Sequence, residues 1–261
     1  IVNFHFDNVD KLRVLERGHS HENAVSAVQT VADVIGNVSI DLIFAAPGET
    51  IDHWRNDLAV AKDLPLKHIS TYALTFEKGT SFWSRRARGD LSSASESCEV
   101  DMYQAARQGL RDAGFQHYEI SSFAREGSQC RHNLAYWKGL GWYAVGPGAA
   151  RFVDGSREVN HRSTTTYLRR MESADSPVAE QEAITREQCA RERAAFGVRM
   201  IDGIDLEILQ SETGIPIAEI CRDAIFQSVR EGLLLNPSPS WIKLSERGIL
   251  FADTVASRLL G

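Results

Sequence analysis

Strand-length apolar runs alternate with amphipathic helical stretches through the first 120 residues, and this alternation leaves few architectures open to the chain. Val2 to Asp7 alternates apolar and polar residues as a short strand, and Asp10 to Glu16 follows as one or two helical turns. Ser20 is an N-cap for a helix to about Ile35, with Ala24, Val28, Val31 and Ile35 on one face, and Gly36-Asn37 stops it. Val38 to Phe44 is a buried-strand pattern, Thr50 caps a helix to about Leu64, and His68 to Leu74 is the next strand. Ser93-x-x-Glu96 matches a capping box for a helix to Asp112, and Phe115 to Ser121 is the fourth strand. Such repetition predicts an α/β fold of right-handed β-α-β units around a parallel sheet. Sheets of this kind present their chemistry at the C-terminal ends of the strands. Four strands do not close a barrel, so part of the sheet is expected to lie outside these 261 residues.

The last hundred residues change pattern. Ser173-Ala-Asp-Ser-Pro177 is a linker composition, giving an expected division into 1–172 and 173–261. Thr185-x-x-Gln188 caps a helix to about Met200, and Pro216 opens one that reaches Arg230. Leu233 to Leu235 and Trp241 to Leu244 form a hairpin across Asn236 to Ser240, and Ser245 begins a last helix. This is a winged-helix plan. The would-be recognition helix sets Arg222 and Arg230 against Glu219, Asp223 and Glu231, the wrong balance for phosphate contacts.

Charge and cysteine content narrow the function. A formal charge of −6 argues against bulk electrostatic attraction to nucleic acid or anionic membrane. No apolar run reaches the roughly 20 residues that span a bilayer, and the first residues lack a signal-peptide pattern. Cys98, Cys130, Cys189 and Cys221 lie far apart, as reduced thiols of a cytoplasmic protein would. The expectation is a cytoplasmic protein that is not integral to a membrane and does not bind nucleic acid.

Two motifs carry more. Tyr118-Glu-Ile-Ser-Ser-Phe-Ala124 is followed, after a short polar loop, by His132-Asn-Leu-Ala-Tyr-Trp137. Neutral imidazole is a good axial ligand for haem iron, and large rings pack on a porphyrin face. In the other reading, His132 and Asn133 cap a loop while Tyr136 and Trp137 fill core. With Ile40-Asp-Leu-Ile-Phe-Ala-Ala-Pro-Gly-Glu-Thr50, His68-Ile-Ser-x-Tyr-x-Leu74 and Glu77-x-Gly-Thr80, these motifs resemble the oxygen-independent coproporphyrinogen III oxidase-like radical-SAM family, specifically its haem-chaperone branch, HemW. The resemblance covers nearly the whole chain and is strongest from Val38 to Asn160.

The resemblance implies the C-terminal part of a partial six-stranded β/α barrel, followed by a HemN-type winged-helix-like domain. It implies a [4Fe–4S] cluster and S-adenosylmethionine in intact relatives, with the residues matching Arg17 and Asp41 contacting the latter. It also implies haem at or near His132, Tyr136 and Trp137, with His132 as the candidate iron ligand. Gly146-Pro-Gly-Ala149 resembles the family's G-x-G-A, and Arg157 and Asn160 fit its R-x-x-N. Gly146 and Gly148 would let backbone approach a porphyrin edge, and Arg157 could grip a propionate or form a structural salt bridge.

Departures matter as much. The C-x-x-x-C-x-x-C cluster loop has no counterpart in these residues. The Gln that helps hold S-adenosylmethionine in relatives is replaced, with Phe4 or His5 at its place depending on how Phe6-Asp7 is aligned. Ala45-Ala46 stands for G-L, Ser122 for a common Asn, and Ala150 for a frequent His. The leading reading is a haem-binding or haem-trafficking protein whose partners are haem or porphyrin and a haem-accepting protein. The others are oxidative decarboxylation of coproporphyrinogen III and a non-catalytic module that binds through its winged helix.

Overall fold

A computed structural model describes residues 2–4, 9–16, 18 and 20–261, with side chains from Lys11 onward. Arg17, His5 and the Phe6-Asp7 pair lie outside the described residues, as does the side chain of Phe4. The chain divides into two compact units, Ile1–Cys130 and Arg131–Gly261.

The first unit runs β1 (Val2–Phe4), α1 (Val9–Val14), α2 (His21–Ile35), β2 (Ser39–Phe44), α3 (Ile51–Asp63), β3 (His68–Ala73), α4 (Ser81–Ala87), α5 (Glu96–Asp112), β4 (Gln116–Glu119) and β5 (Ser122–Ala124). Its sheet has the order β1-β2-β3-β5-β4. β1, β2 and β3 are parallel, as the alternation predicts. β5 is antiparallel to both β3 and β4, so the fourth parallel strand is held off β3 by a reversed one. The strand expected over Phe115 to Ser121 ends at Glu119, and β5 follows the turn at Ile120 and Ser121, too short at three residues for its alternation to stand out. Ser20 and Thr50 cap α2 and α3 as expected. α5 is capped by Ser95, whose hydroxyl accepts from Cys98 N, and not by Ser93, because Glu96 is already the first helical residue.

Period two decides what each sheet face does. Ile40, Leu42 and Phe44 are buried, and Phe44 packs on Trp54 of α3 and Tyr103 of α5. Trp54 is fully buried, and its indole donates to Met102 O at 2.7 Å, which pins α3 to α5. The alternate residues of β2, Ser39 and Asp41, lie on the opposite face.

The second unit opens with α6 (Arg131–Trp137), followed by β6 (Ala150–Val153), β7 (Ser156–Asn160), α7 (Thr164–Glu172) and β8 (Val178–Ala183). Next come α8 (Arg186–Gly197), β9 (Ile204–Asp205), α9 (Leu206–Thr213), α10 (Ile217–Ile220), α11 (Arg222–Arg230), β10 (Leu234–Ser238) and β11 (Trp241–Leu244). A 3-10 turn over Gly248–Phe251 leads into α12 (Ala252–Leu260). β6, β7 and β8 form an antiparallel sheet, and β10, β11 and β9 form another. Ser173 to Pro177 is the turn that leads from α7 into β8, so the unit boundary falls before α6 instead of at the composition shift. The capping box at Thr185 and Gln188 is present, as is the predicted hairpin. The helix expected from Pro216 to Arg230 is two helices that meet at Cys221, and the last helix begins at Ala252 after the 3-10 turn.

Candidate functional site

In the first unit the strand register sets Asn3, Asp41, Ser70, Ser122 and Glu119 opposite one another in a row across all five strands. Burial raises the pKa of Asp41, opposed by a hydrogen bond from Ser70. Beside this row His68 is buried, with Nδ1 2.9 Å from Ser39 Oγ and Nε2 2.8 Å from Tyr118 Oη. Burial lowers its pKa to about 4, so the ring is neutral. A cluster that the motifs did not reveal sits near the Pro47-Gly48 turn. Lys11 Nζ is 2.5 Å from Glu49 Oε1 and 2.8 Å from Asp57 Oδ2, all buried, while Glu49 Oε2 accepts from Ala46 N at 3.0 Å. A Lys on a short helix gives no sequence signal that its partners lie about forty residues onward.

The second unit holds a cavity of about 470 Å³, within the range of about 300–1,000 Å³ usual for cofactor sites. Helical spacing explains its walls. Asn133, Tyr136 and Trp137 share one side of α6, and Cys189, Glu192, Arg193 and Phe196 share one side of α8. The sheet contributes Phe152 and Arg157, which pair directly across β6 and β7. Trp142 exchanges backbone hydrogen bonds with Phe152 at 2.8 and 3.0 Å, and its indole donates to Ala150 O. Leu260 of α12 adds an apolar contact.

The rings form a chain. His132 meets Tyr136 edge-on with centroids 4.7 Å apart, Tyr136 meets Trp142 at 4.5 Å, and Trp142 meets Phe152 at 5.5 Å. Trp137 carries the Arg199 guanidinium 5.0 Å from its ring centre, and its buried indole nitrogen has no hydrogen-bond partner. Arg157 donates to Glu182 at 3.0 Å and to Glu192 at 2.8 Å. Arg193 pairs with Glu212 and donates to Lys138 O.

The expected site residues therefore separate. Tyr136, Trp137 and Arg157 converge on one cavity, and Trp142, Phe152, Cys189 and Glu192 join them without having been foreseen. His132 is exposed and lies one ring beyond the lining. Gly146 and Gly148 take left-handed backbone conformations, φ +109° and +70°, and are held by their own unit instead of lining the cavity. Asn160 Nδ2 donates to Gly146 O, Tyr167 Oη accepts from Gly146 N, and Gly148 N donates to His161 O. Arg17 lies outside the described residues, and Asp41 belongs to the other unit.

Aromatic walls with a guanidinium at one side suit a flat apolar molecule that bears a carboxylate, so these residues fit a porphyrin. The cysteines do not fit a [4Fe–4S] cluster. They are divided between the units, and burial raises the thiol pKa of Cys98, Cys189 and Cys221, which disfavours the thiolate that iron requires. Among the described residues no group of three or more His, Cys, Asp or Glu is placed to hold a metal ion. No described helix is long and apolar enough to cross a membrane.

Comparison with known proteins adds relatives for the chain as a whole. A family model for the HemN C-terminal domain matches residues 184–251. The haem chaperone HemW of Mycobacterium tuberculosis is 32% identical over 251 residues, covering 96% of this chain and 62% of the relative. HemW of Bacillus subtilis is 27% identical over 257 residues, 97% of this chain and 66% of its own length. The mitochondrial radical S-adenosyl methionine domain-containing protein 1 of Danio rerio is 30% identical over 265 residues, 97% and 60%. Among solved structures, coproporphyrinogen III oxidase (HemN) from Escherichia coli, described as a radical SAM enzyme, superposes with a TM-score of 0.81. That likeness covers 98% of this chain and 62% of HemN at 15% identity, so it speaks for the fold: an α/β arrangement matching the C-terminal part of a radical-SAM protein. Residues 184–251 match the HemN C-terminal domain family, and nearly the whole chain is similar to HemW haem chaperones and to a radical S-adenosyl methionine domain-containing protein. It spans less than two thirds of the length of the curated relatives named here.

Proposed function

We propose that the protein binds haem or a closely related porphyrin in the cavity of its second unit and passes it to an accepting protein, as a HemW-like haem carrier. The observation that carries this reading is the convergence of Tyr136, Trp137, Trp142 and Phe152 on a cavity of about 470 Å³ with Arg157 at its side. Haem supplies an iron centre on a flat apolar ring with propionates. Tyr136 and Trp142 would pack on that ring, Arg157 would face a propionate, and His132, one ring beyond the lining, would hold the iron only by turning past Tyr136. In the first unit, Asp41 in its polar row is the candidate contact for S-adenosylmethionine. A cytoplasmic setting agrees with this role.

Titration of the chain with ferric haem, followed by its Soret band, tests the reading. Trp137→Ala is expected to weaken binding at least tenfold, and His132→Ala to move the Soret position if the imidazole ligates iron. Unchanged affinity in Trp137→Ala and Tyr136→Ala together would show that the cavity is not the haem site.

A further inference from the structure

We propose that Glu192 is a place-holder for the ligand's own carboxylate: it occupies Arg157 until the carboxylate edge of an incoming flat ligand displaces it. This rests on the reading of the cavity as the ligand site and adds its selectivity. The preferred ligand class is a planar apolar molecule bearing a free carboxylate, over its uncharged counterparts.

The geometry around Arg157 carries the argument. β7 places Arg157 in a row between Phe152 on β6 and Glu182 on β8, so its guanidinium stands on the sheet face beside the aromatic wall. Nη1 donates to one oxygen of Glu182 at 3.0 Å, and Nη2 to one oxygen of Glu192 at 2.8 Å. Each contact is single, whereas arginine and a carboxylate reach their strongest form as a parallel two-bond fork. The fork is therefore open to a better-placed carboxylate.

Two features make Glu192 the group that yields. It lines the cavity and Glu182 does not, so a ligand there meets Glu192 first. Its side chain keeps 25% of its exposure and can turn to water when released. Charge balance sets the direction of the effect. One Arg157 faces two glutamates, and the other cation of the described lining, Arg193, is engaged by Glu212 and the Lys138 carbonyl. A third carboxylate enters a locally negative site unless one of the two leaves. Removing the charge of Glu192 removes both the competitor and the repulsion.

The test compares ferric haem with its dimethyl ester, which keeps the ring and iron but lacks free carboxylates. Wild-type chain is expected to prefer the diacid. Glu192→Gln should bind the diacid about tenfold more tightly, the size of one charge-assisted contact, and leave the ester unchanged. Arg157→Gln should abolish the preference. Should Glu192→Gln fail to fold, Glu192→Ala makes the same comparison, because it too removes the charge and frees Arg157. The proposal is overturned if the Glu192 variants weaken both ligands or shift both equally, since Glu192 would then only support the wall. Wild-type chain that binds neither ligand would instead remove the cavity reading itself, and this inference with it.

Discussion

Arg157 Nη2 donates to Glu192 Oε2 at 2.8 Å, and this bond joins the sheet side of the second unit's cavity to its helical wall. Both side chains retain part of their exposure, 34% and 25%, so the pair sits in a screened environment.

Replacing Arg157 by Leu should therefore cost little stability, about 1 kcal/mol, while Glu192 is left near enough to water to rehydrate. Chemical denaturation of the two proteins measures this. A loss above about 3 kcal/mol would mean that the pair behaves as a buried one.

His68 should make the first unit sensitive to acid. Burial takes its pKa from 6.5 to about 4, so the unfolded chain binds the proton more readily than the folded one. The contribution is fully present above pH 6.5 and is lost as pH falls towards 4, amounting to at most about 3 kcal/mol. His68→Gln should flatten that part of the pH–stability curve while lowering stability at neutral pH through the contacts to Ser39 and Tyr118. An identical slope in the variant would assign the acid sensitivity elsewhere.

Two glycines report on packing in the second unit. A Cβ at Gly197, inside α8, would lie 2.5 Å from Cγ2 of Ile204. Gly197→Ala should cost about 1–3 kcal/mol, since a side-chain methyl has some room to move. At Gly248 the added atom would overlap the Leu233 carbonyl, which is backbone and yields less. Gly248→Ala should therefore lower the melting temperature more than Gly197→Ala, and the reverse order would contradict the close approach at Leu233.

Anaerobic reconstitution with iron and sulfide should leave this chain without a [4Fe–4S] cluster, because its four cysteines are at least 31 residues apart and form no short ligand loop. Iron analysis giving about four irons per chain, with the matching broad visible absorption, would defeat this expectation.

Duplex DNA should not bind through α10 and α11. Arg230 lies over Phe226, and Glu231 pairs with Arg258 at 2.8 Å. A gel-shift at low salt is the check, and tight salt-sensitive binding would reverse the conclusion.

Much of the architecture was legible because it is written in local periodicity. The alternate apolar residues Ile40, Leu42 and Phe44 mark β2, and Ser20, Thr50 and Thr185 mark helix starts through hydroxyls that reach backbone three residues on. β5 escaped because Ser122-Phe-Ala124 is too short for period two to stand out, and its sense depends on pairing with β3. β9 escaped for the same reason, as two residues paired with β11.

The sequence by itself determined the family resemblance, the parallel run of β1, β2 and β3, and the residues around His132 to Trp137 worth following. Those features rest on interactions between near neighbours or on motifs read in order. The tertiary structure decided which of those residues meet. It brought Tyr136 and Trp137 to Phe152, Arg157 and Glu192, left His132 outside the lining, and gave Arg157 two carboxylate partners. Such choices depend on strand register and on the rotation of a helix about its axis, where one residue of slip turns a side chain to another face. Neither quantity is encoded in any one stretch of the chain. They are fixed when sheet and helices pack together, and the cavity exists only after that packing.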